Sequence, residues 1–497
     1  QLTGISGGVT SDAQENTVGG TNAGDAFDGT EALENTLFGY DAGTDITTGD
    51  YNTAFGATAL PDCTTGYGNV AIGRRTFFKV TTGYNNTGAG FQAGEKLTTG
   101  YRNVAIGSYS LYKATTSNDS VAIGNAAMNE TTTGDENVAV GGGALHENQT
   151  GEYNVAIGHN ALTYSHNSKQ TALGYKAGYN SNGEENVYIG YKTGYSQTTA
   201  NYNTAVGSEE LLNATTATQN VAVGRKAAQG LTTGGSNGQN TAVGMSALFT
   251  TQTGEYNVAI GSNALALGNV PRFATAVGVK AGYVFGSHRG TFIGYQAGED
   301  NTGSFNTYIG DSAFKEATSG TYNTAVGQSV GGSVALTGSN NTLLGHNAQP
   351  SSASVSNEIT LGDGNVTRFR IPGIGVTFAS SGNNISGITT FSKSVHIPDA
   401  VASNDYASLY LGTGNDVRFF HNGQHTFWQH KLGTPSNGGN LYIDSYTTTY
   451  MRTSDGSNNV ENAIVMNGNA SVQLYHSGTK KLETTSDGVD FGTAGAN

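Results

Sequence analysis

Proline is nearly absent, 6 in 497 residues, and charged residues make up only 12%. So little proline excludes collagen and proline-rich linkers. A charge share about half the usual ~25% argues against a long solvated or disordered chain. Cys63 is the only cysteine, so no intrachain disulfide can form and nothing points to an oxidising compartment. No apolar run approaches the roughly 18 residues of a membrane span. There is one tryptophan, and basic residues number 23 against 37 acidic, a net charge of −14. That balance argues against nucleic acid or an anionic membrane as main partner. The chain begins at Gln1 without Met, so the N-terminus is read as processed, trimmed or missing.

What is abundant is glycine, 74 residues, and its places are regular. Anchoring glycines fall at 39, 56, 73, 90, 107, 124, 141, 158, 174, 190, 207, 224, 244, 261, 278, 294, 310, 327, 345 and 362. Of the 19 spacings, 13 are 17 residues and four are 16, which no chance pattern sustains. Three residues before the anchor every repeat has Val, Thr or Ile, and one residue before it every repeat is apolar. Between those two, 13 of 20 positions are Ala; four before the anchor, 15 of 20 are Asn. Alternating β-branched residues at period two make each pentapeptide, such as Asn103-Val-Ala-Ile-Gly107, a short strand. Turn residues such as Thr98-Thr99-Gly100 close the repeat.

One equivalent strand per 16–17 residues predicts an all-β parallel β-roll or β-helix solenoid, with like positions stacked. At about 4.8 Å per rung, 20 rungs span roughly 95 Å. The pattern places the residue before the anchor, Ile106 for example, inside the rung. The Asn and Ala positions then form a small outer face suited to close approach by another chain. Ile106→Asp is accordingly expected to disorder the rung, and self-association along the ladder is expected. Four residues after the anchor a bulky residue such as Leu111 alternates with Gly. In five Gly cases the residue after the anchor is aromatic: Tyr40, Phe91, Tyr175, Tyr191 and Tyr295. This reads as bulk moving between two core sites of fixed total volume; Val279 with Gly282 and Gln328 with Gly331 break the rule.

The Asn-Val-Ala-Ile-Gly rung resembles the head repeat of trimeric autotransporter adhesins, a left-handed parallel β-roll that trimerises. The segments Asn35-Thr-Leu-Phe-Gly-Tyr-Asp-Ala-Gly43, Glu358-Ile-Thr-Leu-Gly362 and Arg370-Ile-Pro-Gly-Ile-Gly-Val-Thr-Phe378 are similar to tail fibres of phages infecting marine bacteria. So is Leu474-Tyr-His-Ser-Gly-Thr-Lys-Lys-Leu-Glu-Thr-Thr-Ser-Asp-Gly488. The resemblance implies a fibrous homotrimer in a virion, outside the cell. Virion tail components would lie on the N-terminal side, and a host-surface glycan or outer-membrane protein would be bound by the C-terminal side. The bacterial cell surface, for an autotransporter-type adhesin, is the alternative location. A tailspike-like glycan depolymerase is the second alternative.

The organisation expected is a lead-in or cap at 1–34, a repeat ladder at 35–362, a β neck at 363–400 and a hairpin-rich C-terminal β region at 401–497. Asn422-Gly423, Ser477-Gly478 and Asp487-Gly488 mark hairpin turns in the last. Receptor contacts are expected there, at Trp428, Tyr446, Tyr450 and Tyr475, because exposed aromatic side chains combine apolar area with a polar tip. His421 and His425 are the candidate metal ligands, yet they flank an Asn-Gly turn where polar residues are expected anyway, so no metal is expected. No cofactor, catalytic residue, nucleic-acid partner or membrane insertion is expected: the acidic residues are scattered without a spacing that singles out a pair. The asparagine column reads as structural.

Overall fold

A computed structural model describes residues 9–371, apart from 28–30, 233–237, 269–270, 317–318 and 333. Beyond these it describes residues 376–379, 384–385, 408–411, 417–421, 426–430, 448–454, 460–467, 471–476 and 479–491. The chain divides into two units, Gln1–Arg370 with Thr377–Asn384, and Ile371–Val376 with Ile385–Asn497.

The first unit is a parallel β-solenoid. Its strands have three residues in nearly every rung, as in Val70–Ile72, Val104–Ile106 and Val155–Ile157. Each pairs in parallel with the equivalent strand of the rungs on either side: Ala105 opposes Gly88 below and Ala122 above. The ladder starts at Thr17–Gly19, one strand ahead of the first anchor in the regular series, and ends at Ile359–Leu361. Ahead of it Thr10–Ser11 pairs antiparallel with Thr17–Gly19.

Backbone geometry explains the anchors. From Gly20 to Gly345 they take φ between 109° and 146°, a region closed to residues with a Cβ. They also stack backbone on backbone: a Cβ at Gly107 would lie 2.5 Å from the carbonyl oxygen of Gly124. Three further positions per rung are left-handed. In one rung they are Tyr109, Leu111 and Asp119, at φ 59°, 50° and 55°. Non-glycine residues adopt this at a cost of about 1–2 kcal/mol each, and the stacked hydrogen bonds hold them there. The Leu111 N–H donates to Ala127 O, and the Tyr109 N–H to Phe91 O.

The strand faces the opposite way from the expectation. Ala105 is fully buried while Ile106 is 38% exposed, and the same holds for Ala71 against Ile72 at 48%. Asn103 is buried as well, so the Asn and Ala column forms the core and the Val/Ile column forms the outside. The reason is volume. A short rung leaves room for a methyl group on the strand side, because Ser110, Leu111 and Ala114 of the returning limb already fill it. The expected bulk exchange also has a different partner. Tyr40, Tyr175, Tyr191 and Tyr295, read as core fillers, are exposed, and Phe91 is only half-buried. Where Gly follows the anchor by four, the space is taken by a large residue between the strand's two outward positions, or by a neighbouring rung's large residue. Gly194 abuts Tyr188, Gly298 abuts Phe292 and Tyr308, and Gly94 abuts Phe77. Gly282 against Phe292 and Gly331 against Phe314 follow this rule, although they broke the other.

Buried asparagines are fully engaged. Asn103 donates its side-chain amide to Asn86 Oδ1 (3.0 Å) and to Ser117 O (2.6 Å), and its backbone N–H also reaches Asn86 Oδ1 (3.0 Å). Its own Oδ1 accepts the Ser120 N–H (3.1 Å). Ser120 passes the column on through its hydroxyl, which accepts the Asn137 N–H (3.2 Å). An amide column of this kind converts buried polar groups from a cost into a register lock.

The second unit is antiparallel. Ser408–Leu411, Val417–His421 and Thr426–His430 form one sheet, and His421 opposes Thr426; the expected Asn422-Gly423 turn lies outside the described residues. Thr448–Ser454, Val460–Asn467, Val472–His476, Thr479–Thr485 and Gly488–Phe491 form another. Thr485 opposes Gly488, so the Asp487-Gly488 turn stands as expected; His476 opposes Thr479, and the expected Ser477-Gly478 turn lies outside the described residues.

The inverted strand makes two outcomes separable. Ala105→Asp puts a carboxylate with no partner into the core and should cost several kcal/mol, read as a lowered melting temperature. Ile106→Asp should leave the rung folded, with circular dichroism close to that of the unmodified protein.

Candidate functional site

The most extensive candidate surface is the strand face. Nearly every strand contributes two outward side chains, a Thr or Val and an Ile, Val, Leu or Phe, and parallel pairing without register shift aligns them. Phe55, Ile72, Ile106, Ile157, Leu173, Ile260, Ile293, Leu344 and Leu361 are all exposed. Phe38 and Phe55 stack at 4.8 Å between ring centroids, at the head of this stripe. A contiguous exposed apolar stripe marks an interaction surface.

Aromatic columns flank it. Before the strand, Tyr67, Tyr84 and Tyr101 stack at 4.9 and 4.8 Å, and Arg102 lies over Tyr101 at 4.8 Å. Farther along, Phe305 stacks on Tyr322 at 4.8 Å, and Arg289 bridges Phe273 and Phe305 at 5.5 and 5.6 Å. After the anchor, His159, Tyr175 and Tyr191 form a third column. The expectation of exposed tyrosines in the C-terminal region did not extend to these columns. Their signal was in the sequence, as aromatics recurring at one position of successive repeats.

Three carboxylates lie deep in the solenoid, each at a rung corner. Burial drives Glu95 up, but hydrogen bonds from Arg75 and Gln92 outweigh it and hold the carboxyl below its ordinary value. Arg75 reaches Glu95 at 2.8 Å. Glu299 is bridged by Lys280 at 2.8 Å and Lys315 at 3.9 Å. Glu210 stands where most rungs carry Ala, and burial pushes it above the usual carboxylate range although Thr193 Oγ1 (3.1 Å) and the Ser208 N–H donate to it. These contacts tie neighbouring rungs together.

The expected C-terminal contacts fall mostly outside the described residues. Tyr446 and His425 lie outside them. His421, Trp428 and Tyr450 sit in strands whose side chains are not described. Tyr475 is half-buried, and its hydroxyl donates to Gln473 Oε1 at 2.7 Å. Among the described residues no group of three or more His, Cys, Asp or Glu side chains converges to hold a metal ion. Among the described residues no helix is long and apolar enough to cross a membrane. No family model matches the chain, and neither a curated protein nor a solved structure does.

Cys63 is fully buried, and burial pushes its thiol up to about 12. A thiol so shielded is almost wholly protonated at neutral pH and unreactive. Iodoacetamide should therefore leave the native chain unlabelled at pH 8 and label it stoichiometrically in denaturant, read by mass spectrometry.

Proposed function

We propose that the chain is a non-enzymatic subunit of a homotrimeric fibre, in which the solenoid is a stiff spacer and the C-terminal β region makes the surface contacts. The observation that carries this reading is the β-branched stripe. Its apolar side chains face outward along the whole ladder, and covering them by like chains would supply burial that the narrow core lacks. Polar Asn and Ala, expected at the interface, are spent in the core; the assembly face is the Val/Ile column instead. Three identical ends on one spacer would turn weak contacts into avid attachment. The resemblance to phage tail fibres supports a virion as the owner and a host-surface glycan or outer-membrane protein as the receptor. Twenty-one rungs at about 4.8 Å give a spacer of roughly 100 Å.

Light scattering of the full chain should give about 153 kDa, three times 51.1 kDa. The triple variant Ile106→Asp, Ile157→Asp, Ile260→Asp should scatter as a folded monomer, since each substitution places a charge on the stripe. Fluorescently labelled trimer should decorate cells of a susceptible bacterium, and Trp428→Ala should lower that binding with the mass unchanged. A folded monomer of the unmodified chain would refute the assembly. Full cell binding by the monomeric variant would refute avidity.

A further inference from the structure

Most cations of the solenoid meet a carboxylate one rung away: Arg102 with Asp119, Lys113 with Glu130, Lys79 with Asp62. Among the described residues Lys176 and Lys192 have no carboxylate partner, in a chain of net charge −14. They face tyrosines instead. Lys176 Nζ lies 5.5, 4.9 and 6.0 Å from the ring centroids of Tyr175, Tyr179 and Tyr195, and Lys192 Nζ lies 5.2 Å from that of Tyr191. A hydrogen bond to the Tyr191 hydroxyl holds the Lys192 ammonium above the ordinary lysine range.

The rings form two columns with Lys176 between them and Lys192 against Tyr191 of the first. Tyr175 and Tyr191 stack at 5.5 Å with planes 12° apart, and Tyr179 and Tyr195 at 5.0 Å with planes 6° apart. Tyr175 and Tyr191 are 41% and 45% exposed. The group occupies the limb that follows the anchor glycines, whereas the β-branched stripe precedes them. It is also bounded. At the two positions after the anchor, an earlier rung carries Gly142 and Gly143, and the rung after the group carries Ser208 and Glu209, whose carboxylate is held by Lys226 at 3.8 Å.

We propose that this surface binds an acidic polysaccharide lying along the ladder. Stacked rings cover one another's faces and leave ring edges and hydroxyls outward. These offer hydrogen bonds to sugar hydroxyls, and the two ammonium groups meet carboxylates of the polymer. Rungs about 4.8 Å apart set the donors in a line, which suits a linear polymer with charge on successive units. A single-stranded nucleic acid needs open ring faces for its bases and a groove of many cations. This surface has neither. The proposal does not rest on the trimer or on the attachment role.

The test is calorimetric titration of the full chain with sodium polygalacturonate at low and physiological salt, with neutral dextran and oligothymidine as comparison probes. The unmodified protein should bind the polyuronate, more weakly as salt rises. The double variant Lys176→Gln, Lys192→Gln should bind at least about tenfold more weakly, since two charge-assisted contacts are lost. Arg102→Gln, which removes an ion-paired cation from another column, should bind as the unmodified protein does. Absence of polyuronate binding, equal affinity for dextran or oligothymidine, or an equal loss in Arg102→Gln would overturn the proposal. Circular dichroism and light scattering of the same samples keep folding and assembly separate from the binding result.

Discussion

The solenoid depends on the close approach of backbone at its anchor glycines. No side chain separates one anchor from the next, and a Cβ at any anchor from Gly20 to Gly190 would fall within 3 Å of backbone in the following rung. That contact fixes the rung spacing, turns the chain out of each strand at a φ only glycine adopts, and stacks every other position into a column. The asparagine column then sets register, because each amide reads the rung below and is read by the rung above. Columns of Thr hydroxyls do the same at the opposite turn: Thr98 Oγ1 donates to Thr115 O and Thr115 Oγ1 to Thr132 O.

From that spacing follows the inside-out strand. A rung this small encloses one large side chain or two modest ones, so Ala lines the strand side wherever Leu111, Met128 or Leu145 fills the centre. Where Tyr188 or Phe292 occupies the Ala position, the centre of that rung is glycine, Gly194 or Gly298. The β-branched residues that favour extended backbone are thereby turned outward, and their apolar surface becomes available to another chain. Core economy and the exposed apolar stripe are two consequences of one constraint.

Much of this was legible in the sequence: the period, the strands, the turns, the stacking, and the C-terminal hairpin at Asp487-Gly488. Which side of the strand faced inward was not. A period of two says which residues share a face, and Ile106 is more apolar than Ala105 or Asn103, so hydrophobicity alone points the wrong way. The deciding quantity was the volume of the rung, which depends on residues such as Leu111 six positions after Ala105. The recurring tyrosines after the anchor were read as core fillers, and their outward column was missed for a related reason. Tyr175 and Tyr191 are unremarkable alone and become a surface only when a spacing of 16 residues lays them one above the other.

The most direct measurement is hydrogen exchange of the full chain carrying Gly107→Ala, followed by mass spectrometry, with Gly364→Ala as comparison. The added methyl would meet the Gly124 carbonyl at Gly107 and open space at Gly364. Loss of protection in the strands Thr87–Ala89, Val104–Ile106 and Val121–Ile123 for Gly107→Ala, with none for Gly364→Ala, is the outcome the stacked-glycine account predicts. Unchanged protection in Gly107→Ala would contradict it.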